Sequence, residues 1–308
     1  MNQRGTLIRM GVLALLWGSS FLWMKLALGS LAPLQISLVR TFFGALVLFV
    51  VLALAKMSLP RDRRIWGHML FVALFGSAIP FTLFAFGGQT VDSGVSGVLN
   101  STTPLFALAI GLVLGSEKIS NVVRMLGLAL GFAGVLVIFA PWQSANSIAS
   151  WGAVLCLIGA ASYAIGYSYA GRYLVNTGAT STQLAAMQLT TAMGMLILAT
   201  PFGGLEPLHL HWVGIVAVMI LGVFGTGVAF ILNYRVIADE GATTATTVGY
   251  LLPVVSVLLG AIFLGEQLNA RVVVGMLVVL LGVALTRRKP VAAGQTVSPN
   301  ETRDLVKR

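Results

Sequence analysis

Along the chain, apolar residues gather into long runs separated by short polar or basic connections. A helix needs about 20 mostly apolar residues to cross the hydrocarbon of a bilayer. Ten runs qualify, at approximately 7–28, 33–54, 66–87, 91–114, 124–141, 149–171, 183–201, 212–235, 241–264 and 272–286. They predict an all-α membrane protein with ten transmembrane helices. Past residue 289 the pattern ends, and 290–308, with its Gly, Pro, Ser and charges, reads as a disordered tail.

Two runs are broken at matching places. The fourth contains LNSTTPLF (99–106) and the ninth VGYLLPVV (248–255), so Pro253 follows Pro104 by 149 positions. At the same offset Phe75 meets Phe224, Gly76 meets Gly225, Phe81 meets Phe230, Gly111 meets Gly260 and Glu117 meets Glu266. An offset of 148 aligns Gln35 with Gln183, Gly127 with Gly275 and Gly134 with Gly282. Residues 1–141 and 149–289 are therefore read as two repeats of five helices. Five is odd, so the second repeat enters the membrane from the opposite side. Many secondary carriers use such inverted repeats for alternating access.

Composition agrees. Of 308 residues, 57% are hydrophobic and 9% charged, too few charges to cover a soluble surface of this size. The net charge of +10 raises nucleic acid as a partner, but the basic residues sit in short connections and no nucleic-acid motif accompanies them. They report orientation instead. With both termini cytoplasmic, 16 Lys and Arg residues lie inside, Lys25 and Arg271 outside, and Arg40 within a span. The basic start raises a cleaved signal peptide, yet ALLWGSSFLWMK is polar and aromatic at its centre and is kept as a helix. Cys156, the single cysteine, forms no intrachain disulfide and reads as a small core residue.

Matched interruptions point to a midplane binding site. A proline lacks an N–H and disturbs the carbonyl four residues earlier, here those of Asn100 and Gly249. In lipid, freed groups need protein, water or ligand. Kinking for packing is the plainer alternative; the polar residues clustered at one depth favour a cavity. Substrate contacts are expected from Trp17 and Phe21 of span one, Pro80 and Phe84 of span three, Asn100 of span four, Tyr163 and Tyr167 of span six and Tyr250 of span nine, with Pro104 and Pro253 as the helix breaks. Spans five and ten are nearly all small or aliphatic and are placed at the periphery. Their glycines permit close packing or a homodimer contact.

The charged residues divide. Arg40, about two turns into span two, is expected to snorkel outward or pair with Asp92. Asp92, Asp239 and Glu240 begin spans and suit helix N-termini. Inverted symmetry makes Lys25–Glu266 and Arg172–Glu117 equivalent candidate gate pairs, an outer and an inner latch; ordinary loop pairing is the alternative. Near mid-depth no span carries Asp or Glu for a proton relay. Metal-ligand spacing, a Walker loop, HExxH and GxSxG are all missing, so neither a cofactor, a metal nor catalysis is expected.

The segments LLWGSSFLWMK (15–25), NSTTPLFALAIGLVLGSE (100–117) with GLALGFAGVLVI (127–138), and GYLLPVVSVLLGAIFLGEQL (249–268) with GMLVVLLGVAL (275–285) resemble the drug/metabolite transporter superfamily, in its ten-helix EamA-like branch. The likeness covers nearly all the chain before the tail. It implies export of small metabolites, commonly amino acids, across a bacterial inner membrane by alternating access. One branch exports aromatic amino acids, which the aromatic set here would suit. Four-helix relatives use a first-helix Glu that this chain lacks. Carriers of phosphorylated sugars are the alternative; they use cavity cations, for which Arg40 and Lys25 are available. The expected unit is a monomer or homodimer bound to a small-molecule substrate and lipid, without nucleic acid.

Overall fold

The computed structural model describes residues 3–113, 122–139, 148–174, 177–209, 211–240, 248–249, 251–267 and 269–286. Thirteen helices build ten crossings among these residues. They are α1 (Gln3–Ala27), α2 (Pro33–Leu54), α3 (Arg63–Ala73), α4 (Ile79–Gly87), α5 (Ser93–Asn100), α6 (Thr103–Val113), α7 (Val122–Phe139), α8 (Ile148–Tyr173), α9 (Ser181–Ala199), α10 (Trp212–Gly222), α11 (Ala229–Glu240), α12 (Leu252–Leu264) and α13 (Ala270–Thr286). Three crossings are interrupted. A π-helical turn, Leu74–Ala78, joins α3 to α4, and a second, Val223–Val228, joins α10 to α11. Between α5 and α6 the helix breaks at Ser101 and Thr102. Seven crossings are long and apolar enough to span a bilayer outright, and α7, α12 and α13 contribute shorter apolar helices.

The two π turns begin 149 positions apart, so the repeat reaches into backbone irregularity. Helix capping repeats as well. The Gln35 side chain accepts from Ala32 N–H (2.9 Å) and donates to Gly204 O and Glu206 O in the second half. Gln183, its equivalent, accepts from Thr180 N–H (2.8 Å) and donates to Ser58 O in the first half (2.6 Å). Each glutamine satisfies a helix start and ties it to a loop of the other repeat. This fixes the register of α2 against α9, which pack on one another.

Spans five and ten, α7 and α13, pack chiefly against each other. A side chain at Gly282 would collide with the backbone of Gly131 and Gly127, and one at Gly134 with Val279 N and Gly275 O. The glycines expected to allow close packing bring α7 and α13 together within the chain, where backbones meet directly. The remaining crossings form the body of the bundle: α4 lies on α8, α1 and α5 on α12, and α10 on α1 and α2. Exposed Leu, Val and Phe side chains such as Leu54, Phe42 and Leu198 clothe its outside, as lipid contact requires.

Candidate substrate site

The two π turns create two equivalent pockets. In the first half Pro80 lacks an N–H, so the carbonyl of Phe75, five residues earlier in the π turn, loses its helical donor. A side chain from the other repeat replaces it. Ser162 Oγ donates to Phe75 O (2.8 Å), and Gln188 Nε2 donates to Gly76 O (3.3 Å) and Ser77 Oγ (3.0 Å). Tyr234 OH donates to Gln188 Oε1 (2.8 Å), so this fully buried amide is bonded at both ends. Pro80, expected at the substrate, is buried and acts here through the Phe75 carbonyl that it frees.

The second half has Ala229 where the first has Pro80, and its N–H reaches Phe224 O within the helix. No side chain is needed there. The residue equivalent to Gln188 is Arg40, 148 positions earlier, and it faces Thr226, the equivalent of Ser77. Thr226 Oγ1 donates its own proton to Leu221 O (3.0 Å) and accepts from Arg40 Nε (3.2 Å) and Nη2 (3.1 Å). A hydroxyl has two lone pairs, and both are used. Gly222 permits the approach, since a Cβ there would meet Arg40 O at 2.8 Å. The guanidinium lies over the Phe81 ring, 3.9 Å from its centroid.

Arg40 is 7% exposed, about 10 Å along the axis from Pro33. It neither snorkels nor meets Asp92; its partners among the described residues are a hydroxyl and a ring. The aromatic residues continue from it. Tyr163 approaches the edge of Phe81 (6.4 Å) and stacks on Phe84 (6.0 Å) and Tyr167 (5.4 Å), while Phe21 meets Phe84 edge-on (5.6 Å). Four expected contacts, Phe21, Phe84, Tyr163 and Tyr167, therefore form one ladder beginning beside Arg40.

The others among the described residues are not part of that ladder. Trp17 packs with Leu13, Ala14, Ala229, Val248 and Leu252. Tyr250 lies outside the described residues. At Pro104 the break supplies its own donors: Ser101 Oγ to Val98 O, Thr102 Oγ1 to Leu99 O, and Thr103 Oγ1 to Asn100 O, at 2.6–2.7 Å. The carbonyl that Pro104 frees is thus occupied by Thr103, not left for a ligand. Among the described residues, Asn100 Oδ1 is buried without a hydrogen-bond partner. Pro253 is the second residue of α12, where a missing N–H costs nothing.

Lys25 and Glu266 do not pair directly; they grip the same stretch of chain. Lys25 Nζ donates to Gly88 O (2.7 Å) and Val91 O (2.9 Å), beyond the C-terminus of α4. Glu266 accepts from Ser93 N–H (2.7 Å), Gly94 N–H (3.1 Å) and Ser93 Oγ (3.0 Å), capping α5. Each charge matches its helix end, cation on carbonyls and anion on amides. Asp92 lines a cleft with both. Burial, then the neighbouring Glu266, raises the Asp92 carboxyl above its ordinary value, and Lys25 opposes the rise. Glu266 thus ties the second repeat to the start of α5 in the first at this end of the bundle. At the opposite end Arg172 lies over the Tyr173 ring (5.5 Å); Glu117 is outside the described residues.

The sequence model of the EamA-like transporter family matches this chain twice, over residues 7–140 and 150–288. The chain belongs to the EamA-like transporter family. Like it are an uncharacterized inner membrane transporter, YedA, of Escherichia coli (strain K12), 29% identical over 91% of this chain and 92% of the relative, and an uncharacterized transporter, YoaV, of Bacillus subtilis (strain 168), 24% identical over 90% and 95%. A protein crystal structure superposes with a TM-score of 0.65, 18% identity and coverage of 91% of this chain and 97% of the other. At that identity the likeness concerns the fold alone. The EamA-like fold is thus a duplicated, inverted pair of five-helix units in a multi-pass membrane protein.

Proposed function

We propose that this EamA-like protein is a secondary carrier exporting small metabolites, amino acids foremost, across a bacterial inner membrane by alternating access. The observation that carries the reading is the polar and aromatic set where the two inverted repeats meet: Arg40 and Thr226 are buried, Tyr163 is partly buried and Tyr167 is exposed. Equivalent elements of both halves surround this point, so rocking one repeat against the other changes which side it faces. The loop charges put both termini in the cytoplasm, which makes the end tied by Lys25 and Glu266 the outer one. Glu266 must release α5 whenever that end opens.

The aromatic ladder suits neutral and aromatic amino acids, offering π faces to a ring or an ammonium group. Counterflow tests this. Proteoliposomes are preloaded with one unlabelled amino acid, and uptake of the labelled form is followed. Saturable accumulation, lost in Tyr163→Ala, is the expected result. A folded protein that exchanges no amino acid overturns the amino-acid reading, and trans-stimulation separates a carrier from a channel.

A further inference from the structure

We infer that Arg40 is the carboxylate-recognition residue of this carrier, and that its substrates are monoanionic at the end held there. The inference deepens the carrier reading and takes the site's role from it. A buried cation in a membrane helix ordinarily faces a carboxylate or marks a ligand path. Among the described residues Arg40 faces no carboxylate; two of its donors share one hydroxyl of Thr226. Guanidinium has five N–H donors in a planar fork. Nη1 donates to nothing among the described residues, and it is not among the polar atoms sealed from open space without a partner. The same holds for the hydroxyl of Tyr163, on the next ring from Phe81. A cationic donor and a hydroxyl are thus both unengaged around Phe81.

The repeat isolates what is special here. At the equivalent position, Gln188 is consumed in bonding Gly76 O and Ser77 Oγ, with Tyr234 closing its other end. Arg40 bonds no backbone carbonyl among the described residues; both of its hydrogen bonds end on the Thr226 hydroxyl. Thr226 aims the guanidinium and Phe81 supports its face, which leaves an edge for an incoming acid. Charge selects the class: one carboxylate neutralises Arg40, whereas a phosphate dianion leaves a buried negative charge. Binding the acid therefore removes the cost of moving a bare cation between the two facing states.

The test measures binding separately from transport. Ligand-induced thermal stabilisation of purified protein in detergent is compared for L-phenylalanine, 3-phenylpropionate, which keeps the acid alone, and phenethylamine, which keeps the amine alone. The two acids are expected to bind and phenethylamine not. Arg40→Gln, which installs the residue of the other repeat, is expected to raise the Kd of both acids about 10- to 100-fold, the loss of a charge-assisted bond. Arg40→Lys keeps the charge without the fork and is expected to keep the preference of acid over amine. That preference can be read even if Arg40→Gln does not fold. Phenethylamine binding as well as 3-phenylpropionate, no binding of either acid, or wild-type Kd values in Arg40→Gln would each overturn the inference. Counterflow that persists unchanged in Arg40→Gln removes the role of Arg40 and keeps the carrier. Acids that bind without exchanging remove the amino-acid carrier and keep the site.

Discussion

Arg40 and Gln188 stand at one position of a duplicated unit, each facing the hydroxyl of a π turn, yet their surroundings use them differently. Gln188 Nε2 donates to Gly76 O and Ser77 Oγ, its Oε1 accepts from Tyr234 OH, and both of its donors are used. Arg40 meets only Thr226 and the Phe81 ring among the described residues. Pro80 against Ala229 does not account for it, because the carbonyl left without the proline's N–H is Phe75 O, and Ser162 covers that; the difference lies in what each side chain bonds. Duplication supplied two equivalent polar pockets. One closes the backbone, and the other keeps a charge available.

The sharpest way to break this comparison is to remove each side chain in turn. Gln188→Leu strands Gly76 O and the Ser77 and Tyr234 hydroxyls in a buried place, and is expected to cost about 2–4 kcal/mol of stability. Arg40→Leu strands little, since Thr226 still donates to Leu221 O, and it relieves a buried charge. Its stability is expected within about 1 kcal/mol of wild type, with acid binding gone. Thermal melts in detergent measure both; equal losses would erase the distinction.

The hydroxyls sharpen it further. Thr226→Val removes the only side-chain acceptor that aims the Arg40 fork among the described residues, and is expected to weaken acid binding about tenfold. Ser77→Ala leaves Gln188 bonded to Gly76 O and Tyr234, so binding is expected to stay at the wild-type value with a stability loss of about 1 kcal/mol. A smaller step is Tyr234→Phe, which takes one donor from Gln188 Oε1. Side-chain bonds between membrane helices average about 0.6 kcal/mol, and a melt shifted by that amount with unchanged acid binding is expected. Weakened binding in Tyr234→Phe would show the neutral pocket to be part of the site.

Much of this molecule is legible from its residues. Run lengths place the crossings, the offset between Pro104 and Pro253 reveals the duplication, and mid-depth aromatics mark Phe21, Phe84, Tyr163 and Tyr167. What escapes is whatever depends on a partner across the bundle. Arg40 reads as snorkelling or paired with Asp92 because a sequence does not show which hydroxyl lies opposite. Extending the Gln35–Gln183 alignment by five residues puts Arg40 level with Gln188, and that was the available signal. The π turns leave no periodicity to find. The carbonyl at Asn100 looks open until the Thr103 rotamer closes it, and Lys25 and Glu266 look like a pair because backbone amides and carbonyls are invisible as charge partners.

The smallest effect asks whether the pockets are separable from the tied end. The Asp92 carboxyl is raised above its ordinary value of 3.8, first by burial and then by Glu266. A raised carboxyl binds its proton more tightly folded than unfolded, so its stabilising contribution is complete below the ordinary value and is lost as pH climbs through the raised one. Acidification across that interval is therefore expected to lift the melting temperature of the wild type more than that of Asp92→Asn. Lys25 and Glu266 face the group and remain in both proteins, so the difference between the two profiles isolates Asp92. The same difference is expected in the Arg40→Leu and Gln188→Leu backgrounds, because distant sites without shared partners add. Coincident profiles would show that Asp92 is solvated in solution. A difference that changes with Arg40→Leu but not with Gln188→Leu would show that the charged pocket alone is coupled to the closed end, as a carrier that opens in response to its cargo requires.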